Sequence, residues 1–416
     1  MTTVEVHLED AGRTWTVGQA HVTRGRRGEV STTFLYEPAY LAAGGMNIDP
    51  GLLPVSGTQH QRGLLRAFAD SAPDRWGRNL LDKAERSRAR KDNSVPRRLD
   101  ELDYLLGVSD DTRQGALRFR LQGQADYLGE RANVPPLLDL PKLLRASDEL
   151  ASDRDPSSAV KQLLDTGTTG LGGARPKASV RLQDGALAIA KFPHPGDQWD
   201  VMAWEATALD LLANAGIRVP QHQLTPVGQR HVLVLNRFDR TPSGGRVGYI
   251  SAMTATGSRD GDHRDYVDIA EAIRDISLSP RRDHHELYDR VIASVAMGNT
   301  DDHLRNHGFL AERGFWTLSP AFDVNPTPDL TKSRATSIAG ADTQPDEVDG
   351  LLALAEDCDL SLSQARARME HIAEALSGWR EVARRKRIAE QEIAMMAESF
   401  QPRLDSVATA GRRRQL

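Results

Sequence analysis

The chain has a single cysteine, Cys358, among its 416 residues. No intrachain disulfide can form and no cysteine-based zinc site can be built, which suits a reducing compartment. No window approaches the roughly eighteen continuous apolar residues of a membrane span. The opening stretch MTTVEVHLEDAGRTW is polar and strand-like, without the apolar segment behind a basic flank that marks a secretory leader. Net charge is scarce too. A formal value of −5 gives no global attraction to nucleic acid or to an anionic membrane. Basic character is confined to short runs, Arg384 to Arg387 and 412–414, of the kind that usually forms a solvated face or a frayed end rather than a phosphate patch. Internal repeats, heptad arrays and low-complexity tracts are absent as well. A cytoplasmic protein with no membrane association is expected.

What is present is a globular composition, 39% hydrophobic and 27% charged, in a chain long enough for about two or three domains. Residues 2–36 alternate apolar and polar side chains, punctuated by Gly12, Gly25 and Gly28, as in a small antiparallel sheet. Residues 61–106 read as helical, with a corner at 70–81 in which Trp76 packs, and GALRF at 115–119 reads as a strand. Residues 123–160 are rich in Pro, Asp, Ser and Gly around a helix near 138–150. Strands follow at 178–182 and 187–192, a helix at 200–215, and strands at 221–226 and 231–236. From about 262 the pattern is mainly helical. The spacing predicts an α+β fold, strand-rich first and helical later, in three parts at 1–125, 126–240 and 241–416 and in a two-lobed arrangement.

The chemistry-bearing residues cluster in four places. GTTGLGGARPKASV, 167–180, is a glycine-rich turn into a strand. Glycine lets a backbone approach an anion closely, yet Pro176 precedes Lys177 and no Walker A loop is formed, so a phosphate cradle and a flexible hairpin both remain open. In ALAIAKFP, Lys191 shares a strand face with Leu187 and Ile189 and can neutralise phosphate oxygens, or snorkel from an edge. Glu205 on the next helix either steadies that lysine or is an exposed helix glutamate. HVLVLNRFDR, 231–240, ends a buried-looking strand with Arg237, Phe238 and Asp239, which suit a nucleotide-binding hinge or a structural ion pair.

The fourth place is MGNTDDHLRNHGFL, 297–310, where ionisable and amide groups stand between apolar flanks and must be satisfied by one another, by water or by a ligand. Asp301, four residues, Asn306, and a later Asp323 framed by Phe322 and Val324 follow the arrangement of protein kinases. A carboxylate suits proton acceptance from an attacking hydroxyl. An amide oxygen and a second carboxylate suit Mg2+. His303 and His307, spaced i, i+4, could instead hold a transition metal on one helix face, but Leu304, Arg305 and Asn306 lack the glutamate of H-E-x-x-H, so His303 is read as a brace for the loop and His307 as incidental.

Taken together, GLLPVSG, DSAPDRWGRNLL, GALRF, GGARPKA, AIAKFP, NRFDR, NTDDHLRN and SPAFDV make the chain resemble the HipA family, the kinase toxins of bacterial HipBA-type toxin–antitoxin systems. The resemblance implies a protein-kinase-like core behind an N-terminal subdomain and a mainly helical C-terminal lobe. It implies ATP and Mg2+ as cofactors, with Gly172, Gly173, Lys177 and Lys191 on the phosphates. Asp301 would be the catalytic aspartate, Asn306 and Asp323 the metal ligands, and Arg237, Phe238 and Asp239 the adenine-side hinge. It further implies serine/threonine phosphorylation of a translation protein such as an aminoacyl-tRNA synthetase, and a helix-turn-helix antitoxin of HipB type through which DNA is reached only indirectly. In one respect the sequence departs from the family: Gly170 stands where an autophosphorylated loop serine is expected, with Thr168 and Thr169 adjacent. Either a threonine takes that phosphate or this control is missing. The alternatives to an active kinase are an idle kinase-fold binding module acting with an antitoxin as co-repressor, and a metal-dependent phosphohydrolase.

Overall fold

The computed structural model describes residues 1–25, 28–129, 132–152, 157–167, 175–259 and 261–413. The chain forms two compact units, Met1–Gly196 with Thr225–Ile250, and Asp197–Leu224 with Ser251–Leu416.

The first unit opens with an antiparallel sheet of five strands, Thr2–Asp10 (β1), Arg13–Arg24 (β2), Val30–Tyr36 (β3), Thr58–Arg62 (β4) and Leu117–Leu121 (β5), in the order β4-β3-β2-β1-β5. Alternation decides its faces: Val4, Val6, Ala20, Val22, Phe34 and Phe119 are all buried on its core side. Residues 61–106, expected to be helical around a corner at 70–81, begin inside β4; helices then run over Arg66–Asp70, Arg75–Lys91 and Glu101–Leu106. Asp74 caps the middle one by accepting from Gly77 N at 2.9 Å.

A second sheet is built from Lys177–Arg181 (β6), Leu187–Lys191 (β7), His222–Val227 (β8) and Arg230–Asn236 (β9), in the order β6-β7-β9-β8. One of its faces packs Ala178, Val180, Ala188, Ala190, Val232 and Val234 against helices Leu140–Ala151 and Ser157–Asp165 and against Trp76 and Leu80. The segments expected as separate domains at 1–125 and 126–240 therefore share a core. Trp76 is in it, and its ring nitrogen donates to the carbonyl of Lys177 at 3.2 Å.

The second unit is mainly helical. Helix Val201–Asn214 is apolar nearly all round, and eleven of its residues are buried. Helix Pro280–Met297 ends at Gly298, whose φ of 67° and hydrogen bonds back to Ser294 and Val295 make a Schellman-type turn. Short strands Gly308–Glu312 and Phe315–Leu318 pair antiparallel, and Arg264–Asp265 pairs in parallel with Thr336–Ser337. Helices Glu347–Asp357, Leu362–Leu376, Trp379–Arg385 and Glu390–Arg412 complete the unit. Among the described residues no helix is long and apolar enough to cross a membrane.

Candidate active site

In the first unit, β7 places Lys191 opposite Lys177 of β6, with Leu233 of β9 on its other side. Directly paired residues point to one face, so both lysines lie with Ser179 and Ile189 on the face away from the alanine-rich core. Both are buried, Lys191 at 7% exposure and Lys177 at 1%. Two ammonium groups side by side in the interior call for anions. Lys177 has one: its Nζ donates to Asp74 Oδ2 at 2.8 Å. That geometry makes it a tie between β6 and helix Arg75–Lys91. Thr168, Thr169, Gly170, Gly172 and Gly173 lie outside the described residues.

The hinge candidates Arg237 and Asp239 form a buried fork-to-fork pair, at 2.8 and 2.5 Å. Arg237 also donates to the carbonyls of Thr112 and Arg113, and Asp239 accepts from Gly115 N at 2.7 Å. Burial works against the Asp239 charge but is outweighed by Arg237 and Arg240, so the carboxyl stays below the usual range. These two side chains fasten β9 to the 112–115 segment, which fits the ion-pair reading. Phe238 packs against Tyr249, with ring centroids 6.3 Å apart.

In the second unit the loop after Gly298 brings Asp301 and Asn306 together. Asn306 Nδ2 donates to the carbonyl of Asp301 at 3.0 Å, which fixes the amide and turns its Oδ1 acceptor to the opposite side. The Asp301 side chain is exposed, while Asn306 is buried. Residues 304–306 form a single 3-10 turn, so His303 and His307 do not share an α-helical face. His303 braces the turn through its carbonyl, which accepts from Asn306 N at 2.8 Å; its ring Nδ1 is buried with no hydrogen-bond partner among the described residues. Among those residues no group of three or more His, Cys, Asp or Glu is placed to hold a metal.

Asp323 is tied to the same loop. Asn325 N donates to Asn299 Oδ1 at 3.1 Å, and Asn325 Nδ2 lies 3.4 Å from Asp323 Oδ1. Behind it, Ser319 N donates to Gly308 O, and Ala321 N donates to Arg218 O. Asp323 itself has a φ of 58°, a left-handed conformation that a residue with a Cβ adopts at some cost and that collects at functional positions. A small cavity in this unit is lined by residues that include Asn299, Asp302, Asn306 and His307 together with Ala321, Phe322 and Val324, the last two flanking Asp323 in sequence. One amide oxygen and one carboxylate fit a hard cation such as Mg2+, which is usually held by one or two protein carboxylates plus phosphates and water.

Sequence reasoning missed the residues that hold this loop. Asp302, 6% exposed, accepts from Tyr266 OH at 2.5 Å and from Ser294 Oγ at 3.1 Å, and its Oδ1 lies 3.0 Å from His307 Nε2. Burial again opposes the charge and is outweighed by His307, Tyr266 and Arg334, so the Asp302 carboxyl titrates below the ordinary range. The same environment pushes the Tyr266 hydroxyl up, first through burial and then through Asp302. Arg334 donates to Ser294 Oγ at 2.6 Å and to Asn299 O at 3.2 Å. The aspartate doublet between apolar flanks was a signal for Asp302; nothing local marks Arg334.

Similarity to known proteins bears on these residues directly. The family model for the HipA-like C-terminal domain matches residues 169–379, just over half of the chain. The chain belongs to the HipA family. The matched segment contains Lys191, Arg237, Asp301, Asn306 and Asp323. A protein of Sinorhizobium fredii named "Putative kinase Y4mE" is 25% identical over 236 residues, 49% of this chain and 54% of that protein, so the chain spans about half the length of this curated relative. A solved structure of HipA from Shewanella oneidensis MR-1, in complex with HipB and its operator DNA, superposes with a TM-score of 0.63 at 14% identity, covering 99% of this chain and 97% of that one. The HipA fold thus runs over the chain as a whole.

Proposed function

We propose that this HipA-family chain is a Mg-ATP-dependent protein kinase that phosphorylates serine or threonine. The observation that carries the reading is the pair of hydrogen bonds, Asn306 Nδ2 to Asp301 O and Asn325 N to Asn299 Oδ1, which sets a carboxylate, an amide oxygen and a second carboxylate on one braced frame. Mg-ATP supplies the transferable phosphoryl group and the charge that shields it. The chain's own residues do the rest. Asp301, exposed at the loop surface, orients the substrate hydroxyl and accepts its proton. Asn306 and Asp323 hold the cation, and Lys191 neutralises phosphate oxygens. By analogy with its structural relative, a HipB-type antitoxin is the proposed partner, operator DNA is reached through it, and the role is that of a toxin acting on a translation protein.

Labelled-ATP transfer in a bacterial lysate tests the reading and identifies the substrate. Asp301→Asn is expected to slow transfer by about 10²–10⁴-fold while leaving the melting temperature and nucleotide-induced stabilisation near those of the unaltered chain. Asp323→Asn is expected to lose the Mg2+-dependent part of that stabilisation. Transfer by Asp301→Asn at the unaltered rate would remove the case for its role.

A further inference from the structure

The family-matched segment ends at residue 379, yet the loop that carries Asp301 is held from beyond that point. Helix Glu390–Arg412 turns Arg403 inward, where the side chain is fully buried. Its Nη1 pairs with Glu347 Oε2, and its Nη2 donates to the carbonyl of Leu330 at 3.0 Å. Glu347, also fully buried, gives its other oxygen to Arg334 Nη1 at 2.9 Å. Arg334 then reaches Ser294 Oγ and the carbonyl of Asn299, as described above. A second observation is independent of this chain of charges. A Cβ added at Gly298, where the loop begins, would stand 3.1 Å from Ser399 Oγ and 3.3 Å from Arg403 Cδ. The helix therefore abuts the start of the loop as well as gripping it through ions.

An arginine–glutamate–arginine triad in a dry interior is a poor way to gain stability, because desolvation consumes most of the attraction and apolar residues of like volume do as well. What charged forks do well is fix direction, since each guanidinium offers planar donors at set angles. We infer that helix Glu390–Arg412 is a working part of the active centre, with Arg403 as a positioning residue that acts through Glu347 and Arg334 on the Asp301 loop, and through Leu330 on the stretch that follows Asp323. This rests on the phosphotransfer reading. Arg403 serves two loops with one fork, so Asp301 and the stretch after Asp323 both take their placement from a helix that lies outside the segment by which the family is recognised.

The test is Arg403→Lys, which keeps a cation against Glu347 but cannot serve Glu347 and Leu330 at once. We expect kcat to fall roughly ten- to a hundredfold, the scale of a slight misplacement of reacting groups, with little change in KM for ATP. Amide hydrogen exchange over residues 299–306 should quicken in the same variant with no nucleotide added. Ile372→Ala, a core truncation on helix Leu362–Leu376, lowers the melting temperature from another element and should keep kcat. If Arg403→Lys fails to fold, the charge-free pair Arg403→Met with Glu347→Gln takes its place, with the same slow kcat expected. Unchanged kcat and loop exchange in the arginine variants, or an equal loss of kcat in Ile372→Ala, overturns the inference. Absence of phosphate transfer by the unaltered protein would instead overturn the phosphotransfer reading, and loop exchange would still decide whether the helix holds the loop.

Discussion

Asp301 and Asp302 are adjacent in sequence and opposite in circumstance. The first is exposed; the second is buried among Tyr266, Ser294, His307 and Arg334. Because the folded pKa of Asp302 lies below its unfolded value of about 3.9, the ionised form favours the fold. Its contribution is complete above that value and is lost as pH falls through the depressed folded one. Asp302→Asn is therefore expected to cost about 1–3 kcal/mol near neutral pH, since Tyr266 and Ser294 lose an ionised acceptor in the interior. Urea melts should show the gap to the unaltered protein closing in acid. Equal stability at neutral pH would mean that Asp302 does not hold the loop. The kinase-type spacing singled out Asp301, Asn306 and Asp323 in the sequence, because each suits chemistry of a recognisable type. Arg334, Glu347 and Arg403 were not legible: they come from three separate segments and carry no pattern until the chain folds. Glu205 was misread as a possible surface residue and is fully buried. A helix as apolar all round as VMAWEATALDLLAN already pointed to the interior.

At the scale of elements, periodicity located β6, β7, β8, β9 and helix Val201–Asn214 to within a residue or so. It failed at β4, TQHQR, where polar residues alternate in burial on an edge strand with no apolar stripe to read. Nor could it show what fastens one element to the next. His222 at the start of β8 places one ring nitrogen 2.8 Å from Asp210 Oδ1 on helix Val201–Asn214 and the other 3.0 Å from Pro220 O; Lys386, after helix Trp379–Arg385, meets the same aspartate at 2.7 Å. The hydrogen bond to Asp210, stronger than the opposing burial, raises the His222 pKa. Protonated imidazole therefore favours the fold: its contribution is full below the unfolded value of about 6.5 and fades as pH rises through the folded one. His222→Gln should lose stability chiefly below about pH 6.5 and approach the unaltered protein in mild alkali, which denaturant melts at two pH values will show. A loss that is the same at both would rule out protonation as the cause.

For the whole molecule, the order of strand-rich and helical parts was legible from pattern alone. The division was not, because Trp76, Leu80 and the β6–β9 sheet join one core across a stretch that reads as linker. The terminal helix matters at this scale. Ile393, Met396, Phe400, Leu404 and Val407 are buried along it, and Phe400 stacks on Trp379 with centroids 4.6 Å apart. At about 1.5–3 kcal/mol for each such side chain, its removal withdraws roughly 10 kcal/mol, as much as a whole domain's usual margin. Truncation after residue 379, although it keeps the entire family-matched segment, is expected to unfold the second unit and leave the first folded. Limited proteolysis and tryptophan fluorescence will report it; a truncated chain that melts cooperatively near the full-length temperature would contradict the burial described.

Arg403 also has a consequence in time. A ribosome makes the Asp301 and Asp323 segments first and Arg403 later, so a nascent chain already holds every proposed reacting group before the residue that aims them exists. If the helix sets that aim, the unfinished polypeptide is inert until helix Glu390–Arg412 has emerged and docked.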